Sequence, residues 1–338
     1  MERHLRVRRQ KEPFLSFRVI ETMMGEHTKM GSQRKEYGRA LVELGRANEN
    51  VVVLDADLSV STRTSEFGKA FPERFFNCGV SEANMVCTAA GLAMAGKIAF
   101  ASTFAVFATG LTYNQIRQSI AYPSTNVKIV ASHAGLSVGP DGATHQMLED
   151  IGLMRGLPNM TVIAPADANE TYEATYALAS HRGPAYMRFS RSEVPELQCD
   201  GKFRIGAARV LRDGRDITLF ACGQMVYASM RAAERLREKN ISAKVVNVST
   251  VKPLDVHSII ESARETGAAV TVEEHSVING LGDAVCSALA STYPVPLIKV
   301  GTNDVFGESG EASELLVKYG LTEENIERAA IASVSMKR

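Results

Sequence analysis

Very little in this 338-residue chain points to a membrane, a metal or a nucleic acid. No apolar run approaches the roughly 20 residues that a membrane span needs, so no membrane role is expected. Lysine plus arginine and aspartate plus glutamate balance at 38 each, and phosphate-backbone binding needs a basic excess, which argues against nucleic acid as the main partner. The five cysteines (Cys78, Cys87, Cys199, Cys222 and Cys286) are scattered, odd in number and without any CxxC spacing. That pattern suits a reducing cytoplasm and supplies no zinc site. No Walker A sequence, HExxH motif, short repeat or low-complexity tract occurs.

What is present reads as two α/β units. Residues 1–30 form a basic N-terminal extension, crowded with Arg3, Arg6, Arg8, Arg9, Lys11 and Arg18. Glu2, Glu12 and Glu21 interrupt it, which a transit peptide would avoid. From Gln33 to Asn48, Tyr37, Ala40, Leu41, Leu44 and Ala47 repeat at helical spacing. The run Val51-Val-Val-Leu-Asp-Ala-Asp57 then has the continuous apolarity of a parallel strand covered on both faces. Further strands are expected at 97–103, 127–133, 160–166 and 184–190, separated by helices near 83–95, 104–121, 146–156 and 169–181. A polar linker is expected over 193–204, followed by a second alternating series over 205–338. The predicted fold is α/β, with two domains, 31–192 and 205–338, each a mostly parallel sheet covered by helices.

The stretch from Asn77 to Gly96 predicts a strand end, a tight turn and a helix apolar nearly all round, hence buried. Glu82 stands on its first turn. It either complements the helix N-terminus or, at the edge of a dry site, holds a proton near neutrality. In open α/β sheets ligands bind beyond the carboxyl ends of the strands, and the residues there are Asp55 to Ser61, Glu82, Phe104 and Phe107, His133 to His145, and Ser190-Arg191. Phe104 and Phe107 are expected to share the first turn of a helix, as core or as a platform for a planar ring. The 133–145 loop holds glycines, Pro140, Asp141 and the histidines His133 and His145, a composition that favours function at a sheet rim. Gly135-Leu-Ser-Val-Gly139 matches a hydrolase nucleophile elbow, but Gly139-Pro-Asp-Gly142 forbids the helix that motif requires. Gly280-Leu-Gly282 is too short for a dinucleotide fingerprint. On residue chemistry alone Arg34, Ser61 and Arg191 read as solvated surface groups, although a guanidinium pair with a hydroxyl suits a phosphate.

Taken in order, Leu54-Asp-Ala-Asp-Leu-Ser59, Asn77 through Met85, Ser102-Thr-Phe-Ala-Val-Phe107, His133 through Gln146 and Tyr186 through Arg191 resemble the C-terminal half of transketolase in its split, two-polypeptide form. The resemblance covers residues 31 to 335. It implies a pyrimidine-binding domain followed by a transketolase C-terminal domain, and ketol transfer between sugar phosphates with thiamine diphosphate and Mg2+. By the same resemblance Glu82 is the catalytic acid on the cofactor's aminopyrimidine, with Phe104, Phe107 and Asp57 beside the cofactor. His133, Asp141 and His145 hold the donor's hydroxyls, with His145 moving protons, and Arg34, Ser61 and Arg191 anchor the sugar phosphate.

The sequence departs from the family in two places. Gly110 stands where single-chain members often carry a tyrosine. No Gly-Asp-Gly, the family's diphosphate and metal motif, occurs anywhere in the chain. The resemblance therefore implies that Mg2+ is bound mainly by an N-terminal partner subunit, in a heterotetramer of the pentose phosphate pathway. The β subunit of a 2-oxo acid dehydrogenase E1 component, a deoxyxylulose-phosphate synthase-like half and a non-catalytic regulatory homologue remain as alternatives.

Overall fold

The computed structural model describes residues 29–197 and 202–337. Nearly all of the expected basic extension, and the middle of the expected linker with Cys199, lie outside the described residues. Met30–Gly31 (β1) pairs antiparallel with Val194–Pro195 (β8), so the beginning of the linker is strand. Gln33–Ala47 (α1) follows, its N-terminus capped by the Ser32 hydroxyl, which accepts from the Lys35 N–H.

The first sheet has seven strands. They are Val51–Asp55 (β2), Phe75–Asn77 (β3), Ile98–Phe104 (β4), Val127–Ser132 (β5), Thr161–Ile163 (β6), Ala185–Arg188 (β7) and Thr250–Lys252 (β12), in the order β12-β6-β7-β5-β4-β2-β3. All pairs are parallel except β12 with β6. Every residue of β2 is buried, as a strand with both faces covered must be. The short turns Ser59–Thr62 (α2) and Ser65–Ala70 (α3) and the helices Glu82–Met94 (α4), Asp150–Arg155 (α5) and Ala168–Ser180 (α6) connect the strands.

The second sheet has the order β14-β13-β10-β11-β9. Its strands are Arg209–Arg212 (β9), Ile217–Ala221 (β10), Ala243–Asn247 (β11), Ala269–Ser276 (β13) and Leu297–Thr302 (β14), with only β9 antiparallel. Met225–Glu238 (α7), Val256–Thr266 (α8), Leu281–Ala290 (α9), Ala312–Lys318 (α10) and Glu323–Ser335 (α11) cover it. The two units are interlocked. The chain leaves β11 to add β12 to the first sheet, and one apolar core joins Met85 and Ile129 to Phe220 and Val246. Burying that continuous surface is the main force holding the halves together.

Three sequence expectations need correction. First, α4 is not buried all round: Met85, Val86, Ala89 and Ala90 are buried, but Ala83, Cys87, Gly91 and Met94 on the opposite face are exposed. Mostly small residues cover that face, and nothing among the described residues buries it. Second, no regular helix spans 104–121. Phe104 ends β4, and π-turns at Phe107–Leu111 and Ile116–Ala121 flank a short helical turn. The Thr109 and Thr112 hydroxyls donate to the carbonyls of Ala105 (2.7 Å) and Ala108 (2.5 Å) one turn back, a contact that bends helices. Third, the helix expected over 146–156 is confined to α5, since 146–149 still belongs to the loop before it. Among the described residues no helix is long and apolar enough to cross a membrane.

Candidate active site

The carboxyl ends of β2, β3, β4, β5 and β7 lie on one rim, and the chain leaves several of them in strained conformations. Asp57 (φ 64°) and His133 (φ 58°) are non-glycine residues in the left-handed region, a geometry that clusters where function over-determines the backbone. Beneath the rim, buried Asp55 accepts from the Leu58 N–H (2.6 Å) and from the hydroxyls of Thr62 (2.7 Å) and Thr64 (2.8 Å). Burial pushes its carboxyl up, against those three donors. Asp55 thereby fixes the turn that carries Asp57 and Ser61.

Glu82 opens α4 and is 7 % exposed. Among the described residues its carboxylate has no hydrogen bond or ion pair. The carboxylate is therefore left free at the mouth of the helix, where it can accept from a ligand that donates to it. Asp57, by contrast, is exposed and held by Asn77, whose amide donates to its carboxylate (3.0 Å) and accepts from its N–H (3.1 Å). Asn77 also accepts from the Gly79 N–H (3.0 Å), tying the two turns together.

The aromatic and histidine residues form one contiguous stack. The Phe104 and Phe107 rings lie 5.9 Å apart at 13°, close to parallel. The sequence expectation placed them on one helical turn; the structure reaches the same neighbourhood through a strand end and a π-turn. His133 stacks on Phe104 at 3.7 Å, and His145 meets Phe107 edge-on at 5.4 Å. Phe104 is therefore covered, while half-exposed Phe107 keeps surface for a planar ring. Burial, then the charges of Arg34, Arg191 and His145, push the His133 imidazole down to about 3. It is a neutral hydrogen-bonding group, with Nδ1 on the Ser132 hydroxyl at 2.8 Å. His145 has its Nδ1 on the Thr144 hydroxyl at 2.9 Å and is half-buried.

Arg34, Ser61, Arg191 and Asp141 converge beside His133. Arg34 donates to the Ser61 carbonyl, not its hydroxyl, at 3.1 Å. Arg191 donates to the Val138 carbonyl at 2.7 Å and faces Asp141 at 3.5 Å. Burial lowers Arg34, and the neighbouring Arg63 and Arg191 charges add to that. Glu82 and Asp57 stand apart: no hydrogen bond or ion pair among the described residues joins them to this group. Among the described residues no cluster of His, Cys, Asp and Glu could hold a metal ion.

Sequence reasoning missed the supports. The 133–145 loop is held from the second sheet, where buried Glu274 in β13 accepts from the Ser137 N–H (2.6 Å) and from the Gln224 amide (2.5 Å). Gln146 donates to the carbonyls of Leu136 (3.2 Å) and Glu308 (2.9 Å). Arg63, near Arg34, was also passed over. Only its place two residues after Ser61 could have drawn notice.

Residues 29–196 match the family model of the transketolase pyrimidine binding domain, and residues 206–326 that of the transketolase C-terminal domain. A Methanocaldococcus jannaschii protein provisionally named as a transketolase C-terminal section is 51 % identical over 297 residues, covering 87 % of this chain and 93 % of its own. A 6-deoxy-6-sulfo-D-fructose transketolase subunit from a Clostridium species is 41 % identical, covering 88 % and 92 %. A solved split-gene transketolase, described as an inactive β4 tetramer, superposes with TM-score 0.86 at 52 % identity, covering 91 % of this chain and all of that one.

Proposed function

The chain belongs to the transketolase family, and from that premise we propose that it is the C-terminal subunit of a split, thiamine-diphosphate-dependent transketolase. In this reading it moves a two-carbon ketol unit from a ketose phosphate to an aldose phosphate. The observation that carries the proposal is Glu82, a residue 7 % exposed at the rim of the sheet whose carboxylate has no donor among the described residues. An aminopyrimidine ring nitrogen that carries a proton, and so donates, is the kind of partner it fits, and half-exposed Phe107 offers that ring a face.

Bound thiamine diphosphate would supply an electron sink for the carbon–carbon bond that ketol transfer breaks. This chain's residues do the rest. Glu82 shares a proton with the pyrimidine. His133 is neutral across working pH; in the tautomer where Ser132 donates to Nδ1, its Nε2–H donates to a sugar hydroxyl. His145 moves the proton at the donor carbonyl, and Asp141 takes a second hydroxyl. Arg34, Ser61 and Arg191 seat the terminal anion of the sugar. Asp57 is assigned to the cofactor side through its tie to Asn77.

Diphosphate and Mg2+ need oxygen ligands of their own, and the sequence carries no Gly-Asp-Gly. An N-terminal partner subunit is assigned that part, in a cytoplasmic heterotetramer serving carbohydrate metabolism. The exposed apolar face of α4 supports a partner, and so does the solved relative, an inactive assembly described as β4. The pyrimidine-binding role is assigned to 31–192 and the C-terminal-domain role to 205–338. The test is to combine this chain with the product of a neighbouring gene carrying Gly-Asp-Gly, adding thiamine diphosphate and magnesium. Ketol transfer between sugar phosphates is expected only with both chains. Activity from this chain alone would refute the split reading.

A further inference from the structure

Arg63 caps α2 in the left-handed region (φ 70°), an unfavourable place for a residue with a side chain. Its Cβ and carbonyl lie against Gly38 of α1, close enough that an added Cβ there would stand 2.9 Å from each. Gly38 is one turn beyond Arg34 on the same helical face, so Arg63 is pinned beside Arg34. Arg34 in turn feels the charges of both Arg63 and Arg191. The Nε atoms of Arg34 and Arg63 are both buried without a hydrogen-bond partner. Arg191 has Asp141 at 3.5 Å, whereas the Arg63 side chain has no hydrogen bond or ion pair among the described residues. Glu66 approaches the same glycine but does not pair with it. The fold thus gathers three guanidinium groups, with Asp141 facing Arg191 and Glu193 acting on Arg34 as counter-charges, and leaves the Nε atoms of Arg34 and Arg63 without a partner.

We propose that Arg63 is the third guanidinium of an anion seat formed with Arg34 and Arg191, and that this seat selects a substrate ending in a dianion, a phosphate monoester, over one ending in a monoanion such as a sulfonate. Coulomb attraction scales with the ligand's charge, and guanidinium forks match phosphate oxygens in pairs. Three cations therefore favour the dianion more strongly than two would. The identification of the ligand as a sugar rests on the function proposed above; the choice of terminal group does not.

The probes are methyl phosphate and methanesulfonate, titrated calorimetrically into the full chain at pH 8. The wild-type chain is expected to bind methyl phosphate at least about tenfold more tightly than the sulfonate. Arg63→Asn, with a side chain that tolerates the left-handed backbone, should weaken methyl phosphate about tenfold and the sulfonate about threefold or less. Arg63→Lys should retain most of the preference. Equal wild-type affinities, or equal losses for both anions in Arg63→Asn, would overturn the proposal. In the reconstituted complex, Arg63→Asn should raise KM about tenfold for a ketose phosphate and leave a short neutral ketose unaffected. A wild-type complex that transfers no ketol unit would count against the proposed function, while the calorimetric arm would still decide the seat.

Discussion

Gly135→Ala tests whether the second sheet positions the rim loop. Gly135 lies at φ 81°, ψ −169°, a region open essentially to glycine alone. An added Cβ would stand 2.3 Å from Cδ of Glu274 and 2.5 Å from its Oε1. The carboxylate cannot yield without giving up the Ser137 N–H and the Gln224 amide. Strained backbone costs about 1–3 kcal/mol, and loss of a buried charge-assisted hydrogen bond a further 1.5–3 kcal/mol or so. The expected destabilisation is about 3–5 kcal/mol. Gly142→Ala is a matched control, because Gly142 has nearly the same backbone angles (φ 77°, ψ −169°). There the nearest atom is the Ser309 hydroxyl, 2.5 Å away, which can rotate aside. Urea denaturation of both variants should show Gly135→Ala weaker than Gly142→Ala by roughly 1.5–3 kcal/mol. KM for the sugar donor should rise in Gly135→Ala, since His133 is two residues away. Equal losses in the two variants would mean that the Glu274 contact contributes nothing to the loop.

Other consequences are as direct. Glu82→Gln should cut ketol transfer by about 10²–10⁴-fold without lowering the melting temperature, because the carboxylate has no hydrogen bond or ion pair among the described residues to lose; near-full activity would take Glu82 out of the mechanism. The His133 imidazole is held at about 3 in the folded chain against 6.5 unfolded, so the unfolded state binds the extra proton between those values. The folded state then loses about 1.4 kcal/mol per pH unit on acidification from about 6.5 toward 3. His133→Gln should remove one proton's worth of that slope in urea titrations run at several pH values, and an unchanged slope would show that His133 is not held neutral. Ala83→Arg, on the exposed face of α4, should leave the chain's own stability within about 0.5 kcal/mol. It should also block association with the partner in light scattering, and an intact assembly would place the interface elsewhere.

The strands were legible because β2, β5 and β10 are short apolar runs that have no stable place except between layers. The rim was legible for the same reason, since strand ends are where polar and glycine-rich residues stand out. Other features depend on partners remote in sequence. β12 is three residues long and exists only because β6 offers an edge. Glu274 reads as one more polar residue ending a strand until Ser137, 137 positions earlier, is folded against it. Residues 104–121 have a helix's composition, but threonine hydroxyls at 109 and 112 compete for the carbonyls and loosen the turns. The α4 misreading is of a different kind. An apolar helix signals burial, but sequence pattern does not say whose atoms do the burying. In this chain β4 and its neighbours bury the Met85–Ala89 side, while Ala83, Cys87, Gly91 and Met94 stay exposed among the described residues. A face of small residues permits close backbone approach, and at the helix that begins with Glu82 a partner docked there would also close the dry side of that carboxylate. In the proposed two-chain enzyme, the apolarity of α4 serves two surfaces, one inside the chain and one offered to the partner.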